Sequence, residues 1–363
     1  MKEYPPIVLE HLETLTDRTG VIQHAIYSIP NRRTGYTTDD NARALIVAIR
    51  QYERTRERSV LQLVSTYLSF VHYAQTVSKR FHNFMSFDQI FLDDEGSEDC
   101  FGRTLWALGY ALSADIHENV RNVAKKLFDE STRWIPVLFS LRSRAHAIAG
   151  CYNYLRANPE ADDIRDYLRT SAESLLRDYK IHSSSEWPWF EPVLSYDDAL
   201  IPRGLLLAYQ FIKDERFLKV ALESLEFLTE VTIVDGVFQP VGCNGWYIRG
   251  QERAWFDQQP VDAAASVLAY LSAYEATQDN KHLDRAFVAF DWFFGENCLR
   301  EPLYDPVTGG CYDALTPTGA NNNQGSESTI CCLLAQLAMV PYINGERKNE
   351  GKDQLDDWIS QPA

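Results

Sequence analysis

Three pairs of adjacent acidic residues precede segments whose apolar periodicity predicts helices. The pairs are Asp39–Asp40, Glu98–Asp99 and Asp197–Asp198. One short polar side chain is enough to cap a helix N-terminus, so the second carboxylate of each pair is free for another role. Paired carboxylates suit cleavage of a glycosidic bond, in which one acid protonates the leaving oxygen while the other attacks the anomeric carbon or activates a water.

Three long loops combine aromatic residues with further acids, and long loops in compact domains are usually functional. They span residues 182–202, 234–262 and 304–328. Trp187, Trp189 and Trp246 are expected to be platforms on which sugar rings stack. An aromatic wall also raises the pKa of a nearby carboxyl group. The acid and base are therefore sought among Glu191, Asp198 and Asp257. We favour Asp257, which stands between Trp255 and the Gln258–Gln259 pair.

Other polar residues fall within a turn or two of the predicted helix starts. Because these helices are otherwise apolar, their polar groups need partners inside the fold, which a substrate pocket would supply. Thr38 or Asp39 is the predicted cap of its helix, which leaves Asp40, Asn41 and Arg43 to face that pocket. The expected substrate-binding residues are Asp39, Asp40, Asn41, Arg43, Glu98, Asp99, Arg103, His146, Trp187, Trp189, Asn244, Trp246, Gln258 and Glu327.

The elements that must position these residues are about twelve helices of two kinds. Six apolar helices alternate with amphipathic ones, and a helix that is apolar all round is buried. The apolar segments are 42–49, 103–114, 144–155, 203–212, 262–274 and 328–340. This alternation predicts an all-α (α/α)6 toroid with a few short strands, near Val21–Ile26 and Val237–Val241. Its six inner helices run parallel, so their N-termini meet at one mouth. Residues 1–345 are expected to form this single domain, followed by a polar tail, 346–363.

Composition and missing motifs exclude several classes of function. The net charge of −16 argues against nucleic-acid and anionic-membrane partners. Seven cysteines without a CxxC pair suit a reducing compartment. The N-terminus lacks a signal-peptide core and no run approaches transmembrane length, so a cytoplasmic location is expected. The chain lacks HExxH, GxGxxG and GxxxxGK[ST] motifs. We therefore expect no metal and no nucleotide cofactor.

Several sequence blocks resemble the six-hairpin glycosidase superfamily. Within it, they are similar to an uncharacterised bacterial family labelled glycosyltransferase, which occurs beside glycosyltransferase modules and mannoside-processing enzymes. The blocks are QHAIYSIPNRRTGYTTDDNARAL, EDCFGRTLWALG, WFEPVLSYDDALIP, PVGCNGWY, FDQQPVDAA, YDPVTGGCYDAL and NNNQGSEST. The resemblance implies the toroid and a glycosyltransferase or other glycan-processing enzyme as a partner. It implies no assigned catalytic residues, and the chain has no βαβ pattern of a nucleotide-sugar transferase.

Three classes of function fit these patterns. The leading one is an inverting glycoside hydrolase that acts on an oligosaccharide such as a mannoside. A phosphorylase that holds phosphate with Arg142, Arg144 or Arg249 is a variant of it. A sugar epimerase would use His146 and His24 for proton transfer. A non-catalytic carbohydrate-binding domain serving a glycosyltransferase would keep the aromatic platforms without needing a protonated acid.

Overall fold

The computed structural model describes residues 2–343, and the predicted tail 346–363 lies outside the described residues. The domain boundary at 345 stays a prediction. Within residues 2–343 the chain forms twelve α-helices. They are α1 (Glu10–Leu15), α2 (Thr38–Thr55), α3 (Val60–Ala74), α4 (Glu98–Ser113), α5 (Glu118–Ser131), α6 (Leu141–Ala157), α7 (Asp162–His182), α8 (Leu200–Ile212), α9 (Glu215–Thr232), α10 (Pro260–Thr277), α11 (Asn280–Asp291) and α12 (Ser326–Ile343).

The even-numbered helices form a closed ring. Each of α2, α4, α6, α8 and α10 packs against the next even-numbered helix, and α12 packs against α2. The odd-numbered helices lie outside: α3, α5, α7, α9 and α11 each cover the inner helix that precedes them in the chain. The short α1 covers α12 and completes the sixth pair. The predicted all-α (α/α)6 toroid is confirmed.

Small residues allow the inner helices to approach closely. A Cβ atom on Gly109 of α4 would lie 2.2 Å from the carbonyl oxygen of Gly150 on α6. A Cβ on Gly102 would lie 2.7 Å from the Ser143 carbonyl oxygen of the same neighbouring helix. Only a residue without a side chain fits such contacts, so α4 and α6 pack backbone against backbone.

The strands are short and lie in the loops that feed the helices. Ten two-residue strands pair antiparallel in five ribbons, as expected for the few strand signals in the sequence. The pairs are Ala25–Ile26 with Ile29–Pro30, Tyr36–Thr37 with Phe84–Met85, Val193–Leu194 with Tyr247–Ile248, Ile233–Val234 with Val237–Phe238, and Leu315–Thr316 with Gly319–Ala320. The predicted strands 21–26 and 237–241 are thus shorter than expected, because isolated two-stranded ribbons gain little from extension.

The last inner helix corrects one expectation. Among the described residues, α12 is long and apolar enough to cross a membrane by length and composition, whereas the sequence was expected to contain no such run. The structure buries 67% of this helix within the protein, between α2, α10 and α1. Its apolar side chains are therefore used in the ring, as in a core helix of a soluble protein. The cytoplasmic location stays a prediction.

Candidate active site

The first acidic pair lies at the start of α2. Thr37 caps this helix: its hydroxyl oxygen accepts the Asp40 backbone N–H at 3.2 Å and donates to Asp40 Oδ2 at 2.6 Å. The cap predicted at Thr38 or Asp39 is wrong by one or two positions. Thr38 instead donates its hydroxyl to the His82 carbonyl oxygen at 2.6 Å. The Asp39 carboxylate and the Oδ1 oxygen of Asp40 are consequently available for other partners.

Arg43 gathers three carboxylates around one guanidinium nitrogen. Its Nη2 lies 2.7 Å from Asp39 Oδ1, 2.8 Å from Asp40 Oδ1 and 2.9 Å from Glu327 Oε2. Glu327 belongs to the last inner helix, so this contact joins the two ends of the ring. One oxygen from each of the three carboxylates lies within 4.8 Å of the others. Arg43 supplies one positive charge at the centre of the three carboxylates, and Arg103 supplies a second beside Asp39.

Asp198 of the Asp197–Asp198 pair lies in a second cluster of the same kind. Arg142 Nη2 donates to Asp198 Oδ1 at 2.5 Å and Arg142 Nη1 donates to Glu191 Oε1 at 2.9 Å. Asp198 thus corresponds to Asp40, and Glu191 corresponds to Glu327. In both clusters a guanidinium joins a buried aspartate to a more exposed glutamate.

Arg103 links Asp39 of the first cluster to Asp197, which directly precedes Asp198 of the second cluster in the chain. Its Nη1 donates to Asp39 Oδ2 at 2.7 Å and its Nη2 donates to Asp197 Oδ2 at 3.2 Å. We call the connected set the mouth network. Its members are Asp39, Asp40, Arg43, Arg103, Arg142, Glu191, Asp197, Asp198 and Glu327.

The environment separates the pKa values of Asp39 and Asp40. Burial, together with the neighbouring Asp39 charge, raises the pKa of Asp40 to about 7. Burial would also raise the pKa of Asp39, but the charges of Arg43 and Arg103 outweigh it and hold that pKa well below its usual range. One member can therefore keep a proton near neutral pH while the other is ionised, which is the arrangement that acid–base catalysis needs.

The pKa values of Asp197 and Asp198 are separated in the same way. Burial raises the pKa of Asp198 to about 7, with Arg142 opposing and Glu191 adding to the rise. Asp197 is equally buried, but His146 and Arg103 lower its pKa below the usual value. Asp197 also adopts a left-handed backbone conformation, with φ of 57°, which is uncommon for a residue other than glycine.

Asp262 is a buried acid that the sequence did not single out. Its Oδ1 accepts the Asp197 backbone N–H at 2.7 Å, while its Oδ2 has no hydrogen-bond partner among the described residues. Burial and the nearby Asp198 raise its pKa well above the usual value. Asp262 and Asp198 line a small cavity with Ser195 and Ser266. An acidic residue inside the apolar segment PVDAAASVLAYL was the available signal.

His146 lies in the ring interior, as the sequence predicted for a site residue. It is buried, stacks on Trp106 with ring centroids 5.6 Å apart, and places Nε2 3.5 Å from Asp197 Oδ2. Neither ring nitrogen makes a hydrogen bond of normal geometry within the described part of the chain. Burial lowers its pKa, so the ring is neutral near pH 7. His24, the other histidine considered, uses its backbone N–H to contact Thr34.

Glu98 and Asp99 hold the mouth together. Glu98 Oε2 accepts the backbone N–H groups of Phe139 and Ser140, at 2.9 and 2.6 Å. Asp99 accepts the Ser140 hydroxyl at 2.9 Å and the hydroxyl of Tyr196. Both were expected to bind substrate, but their oxygens are used to fix the start of α6 and the loop before α8.

Asn41 and Gln258 were also expected to face substrate, and the structure places both in the core. Asn41 Nδ2 donates to the Thr37 carbonyl oxygen at 2.8 Å, and its Oδ1 accepts the Val21 N–H at 3.0 Å. Gln258 Oε1 accepts the Trp292 indole N–H at 2.9 Å, and its Nε2 donates to the Trp255 carbonyl oxygen at 2.8 Å. Both side chains are fully buried, so neither is open to a sugar hydroxyl.

Trp187 and Trp189, expected as sugar platforms, are also core residues. Their exposed fractions are 3% and 0%, so neither ring has a face open to a sugar. Trp187 packs edge-on against Phe227 and Tyr247. These tryptophans stabilise the loop that carries Glu191, since the Trp187 indole N–H donates to the Glu191 carbonyl oxygen at 2.8 Å.

The loop that follows α9 keeps its predicted residues near the surface. Trp246 is half-buried beside the half-buried Tyr196, with ring centroids 6.2 Å apart, and Asn244 is exposed. Asp257 is half-buried with φ of 57°, and its side chain makes no hydrogen bond or ion pair with the described residues. Tyr196 was not predicted as a site residue, although it directly precedes the second acidic pair.

The three arginines considered for phosphate binding already have partners. Arg142 binds Glu191 and Asp198, as described above. Arg144 Nη2 lies 2.6 Å from Asp178 Oδ2, on the outer helix α7. Arg249 donates to Ser184 Oγ at 2.8 Å and is exposed. Arg142 and Arg144 are therefore paired with carboxylates, whereas Arg249 has only neutral acceptors among the described residues.

The overall architecture is similar to that of several solved carbohydrate-active enzymes. A sugar epimerase from a ruminal bacterium is 14% identical with a TM-score of 0.71, covering 93% of this chain and 97% of its own. A D-mannose isomerase is 12% identical with a TM-score of 0.72, covering 91% and 94%. A GH76 α-mannanase from Bacteroides thetaiotaomicron is 12% identical with a TM-score of 0.65, covering 92% and 93%.

At this level of identity the similarity establishes the fold. No family model matches the chain, and no curated protein matches it. The resemblance to one bacterial family therefore stays a prediction. The ring of helices and the three solved structures agree with the broader resemblance drawn from the sequence. The chain has the six-hairpin glycosidase-like (α/α)6 toroid fold.

Proposed function

We propose that the protein is a glycoside hydrolase that cleaves an oligosaccharide such as a mannoside at the mouth of the ring. The observation that carries this proposal is the cluster of Asp198, Arg142 and Glu191. It joins a buried carboxyl group with a pKa of about 7 to a more exposed carboxylate on one guanidinium. Paired carboxyl groups of unequal pKa are the usual equipment for glycoside hydrolysis.

Asp198 is the proposed general acid and Glu191 its partner. A carboxyl group that keeps its proton near neutral pH can protonate the leaving oxygen. The Glu191 side chain is 24% exposed, against 6% for Asp198, so it is the better placed of the two to meet water or the sugar. Tyr196 and Trp246 lie beside this cluster and provide half-open aromatic faces for the sugar ring.

The other half of the mouth network would bind the substrate hydroxyls. Glu327 is 43% exposed on its side chain and Asp39 is 16% exposed, and both are held by Arg43. Ionised carboxylates fixed by a guanidinium are good acceptors for sugar hydroxyl groups. Asp257 stays a candidate for the second catalytic carboxylate, because its side chain is half-exposed and has no partner among the described residues.

The test is turnover of a panel of manno- and gluco-oligosaccharides, measured as new reducing ends. Asp198→Asn and Glu191→Gln should each lower turnover by about 10²- to 10⁴-fold. Glu186→Gln is the matched control, since Glu186 lies on the same loop but is exposed. Full turnover in both Asp198→Asn and Glu191→Gln would overturn the assignment. The anomer released first would test the prediction of inversion.

The position of His146 favours sugar epimerisation as a second candidate. A neutral imidazole in the ring interior with two unused nitrogens can accept a proton from a carbon next to a carbonyl group. In that case His146→Gln would abolish interconversion of sugars, whereas the Asp198→Asn variant would retain more activity than His146→Gln. The reverse order of effects supports hydrolysis.

A further inference from the structure

Asp262 is a buried acid that the proposed catalytic pair does not include. It lies in the first turn of the inner helix α10 and is 8% exposed. Its Oδ2 has no hydrogen-bond partner among the described residues. Buried polar atoms without a partner are rare in folded proteins, so such an atom next to a proposed general acid points to a role at the site.

The turn that carries Asp198 is held from two sides. On one side, Arg142 of α6 donates from Nε to the Tyr196 carbonyl oxygen at 2.5 Å. On the other side, Asp262 Oδ1 accepts the Asp197 backbone N–H at 2.7 Å. The left-handed conformation of Asp197 is strained, and such a conformation persists only where the surrounding contacts enforce it. The contact from Asp262 therefore helps to fix the turn that presents Asp198.

Asp262 and Asp198 also line one cavity of about 10 Å³. This volume is close to the space that a single buried water molecule needs, and such a water requires two to four polar partners. The polar residues on the cavity wall are Ser195, Asp198, Thr232, Asp262 and Ser266, and the other lining residues are apolar. The cavity therefore has the size and the polar groups of a site for one water.

The charged and titratable groups around the two carboxyl groups come from α6 and from the loops that precede α8 and α10. They are Arg142, Glu191, Asp197 and Cys243. Burial, together with the charge of Asp198, raises the pKa of Asp262 well above its usual value, so Asp262 is protonated at neutral pH. Since Oδ1 accepts a hydrogen bond, the proton belongs on Oδ2, which is then a donor.

We propose that Asp262 is a positioning residue for Asp198, and that the cavity which they share binds one ordered water. Oδ1 of Asp262 holds the turn through Asp197, while Oδ2 donates a hydrogen bond to the water. The water donates in turn to the Asp198 carboxyl group. The inference rests on the proposed function and deepens it, because it identifies what holds the general acid in place.

Two substitutions separate the hydrogen bonds of Asp262 from its size. Asp262→Leu removes both bonds and fills the cavity, and it should lower kcat on oligosaccharides by roughly 10- to 100-fold at similar KM, because Asp198 is displaced. Asp262→Asn should rescue most of this loss, since its amide offers one acceptor to Asp197 and one donor to the water. Ser272→Ala is the control: Ser272 is buried on the same helix but does not line the cavity.

Titration of the carboxyl groups gives a readout that a purely structural role would not move, and it needs no substrate. Carboxyl-carbon NMR follows Asp198 and Asp262, whose signals are assigned by their loss in Asp198→Asn and Asp262→Asn. Asp262 should stay protonated at pH 7. The Asp198 midpoint should be unchanged in Asp262→Asn, because a neutral group replaces a neutral group. It should move to higher pH in Asp262→Leu, because a donor to the ionised carboxylate is lost.

A crystal structure of the unmodified protein tests the water itself. One water should lie within hydrogen-bond distance of Asp262 Oδ2 and of the Asp198 carboxyl group, and a well-ordered cavity without it would overturn that part of the inference.

Three further results bear on the positioning role. Unchanged kcat and an unchanged Asp198 midpoint in Asp262→Leu would overturn it. So would a lower Asp198 midpoint in Asp262→Asn, which would show that Asp262 is ionised; this measurement decides the question even if Asp262→Leu does not fold. If no oligosaccharide is cleaved but both midpoints behave as predicted, the proposed function fails while the link between Asp262 and Asp198 stands.

Discussion

The pairing of buried charges determines which residues of the mouth can act on a ligand. Four of the expected site residues already bond to backbone and side-chain partners, so they support the site without facing it. They are Glu98, Asp99, Asn41 and Gln258. The residues with exposed or unused groups are fewer. Glu327, Glu191 and Asp39 offer oxygens at the mouth, while the two ring nitrogens of His146 have no hydrogen-bond partner among the described residues.

At the residue scale, the raised pKa of Asp40 predicts a measurable pH dependence. The native Asp40 keeps its proton up to about pH 7, whereas the unfolded chain releases it near pH 4. Between these values the unfolded state binds fewer protons, so this residue lowers the free energy of unfolding as the pH rises. Asp40→Asn removes the effect. Relative to the unmodified protein, the variant should gain stability between about pH 4 and 7 in urea unfolding.

The control for this prediction is Asp129→Asn on the outer helix α5, where the side chain is 42% exposed. Its unfolding free energy should follow that of the unmodified protein across the same pH range. Asp39 and Asp197, whose pKa values are lowered, contribute their opposite slopes below about pH 4, outside this pH window. A pH profile of Asp40→Asn parallel to the unmodified protein would contradict the raised pKa.

The charged residues of the site could be identified from the sequence, whereas the residues that they contact could not. The acidic pairs were predicted from their position before apolar helices, and the structure brings two of the three pairs into one network. The lone Arg203 in IPRGLLLAYQFI and the lone Asp262 in PVDAAASVLAYL were visible as charges in apolar segments. Their partners depend on which helices meet across the ring, and local patterning does not contain that information. The aromatic loop failed as a predictor because Trp187 and Trp189 pack inward.

At the element scale, contact between the backbones of α4 and α6 predicts an unusually costly glycine substitution. Gly109→Ala would place a methyl group 2.2 Å from the Gly150 carbonyl oxygen, and the helices would have to separate. We expect a loss of about 1–3 kcal/mol or more in the free energy of unfolding, measured by chemical denaturation.

Gly204→Ala on α8 is the matched control for this substitution. There the added Cβ would meet Ala145 at 3.1 Å, a tight contact that small shifts can relieve. Alanine also favours a helix over glycine by about 1 kcal/mol, so this variant should be close to neutral. Equal stability of Gly109→Ala and Gly204→Ala would show that the close approach does not matter.

The helices were the most predictable elements of the fold, and the residues at which they begin were the least predictable. Alternation of apolar and amphipathic segments directly reflects whether a helix is inside or outside the ring, so the inner and outer assignment follows from the sequence. The cap of α2, predicted at Thr38 or Asp39, was missed by one or two positions because Thr37, Thr38 and Asp39 are all good caps by type. The structure shows that Thr37 faces the Asp40 backbone N–H, while the Thr38 hydroxyl bonds to the loop.

At the scale of the whole molecule, the ring closes between the first and last parts of the chain. The short helix α1 covers α12, and His11 Nε2 contacts the Gln324 carbonyl oxygen at 2.8 Å. Leu12 and Leu15 of α1 are fully buried. Because a closed ring has no free edge, a cavity at this junction weakens the whole domain.

Leu12→Ala should therefore lower the free energy of unfolding by about 2–5 kcal/mol, although α1 has only six residues. Leu92→Ala is the control, because Leu92 is 68% exposed and its truncation leaves no cavity. The control should change stability by less than about 0.5 kcal/mol. If Leu12→Ala lowered the free energy of unfolding by less than about 1 kcal/mol, close to the effect of the control, α1 would not be part of the closed ring.

One measurement separates cleavage of a glycosidic bond at the mouth network from epimerisation and from binding alone. The protein is incubated with manno-oligosaccharides in deuterated water, and the products are followed by proton NMR and mass spectrometry. Hydrolysis predicts shorter saccharides with new reducing ends and no deuterium bound to carbon, and Asp198→Asn should remove this activity. Deuterium bound to carbon in a saccharide of unchanged length, or saccharide binding without any product, would contradict the account.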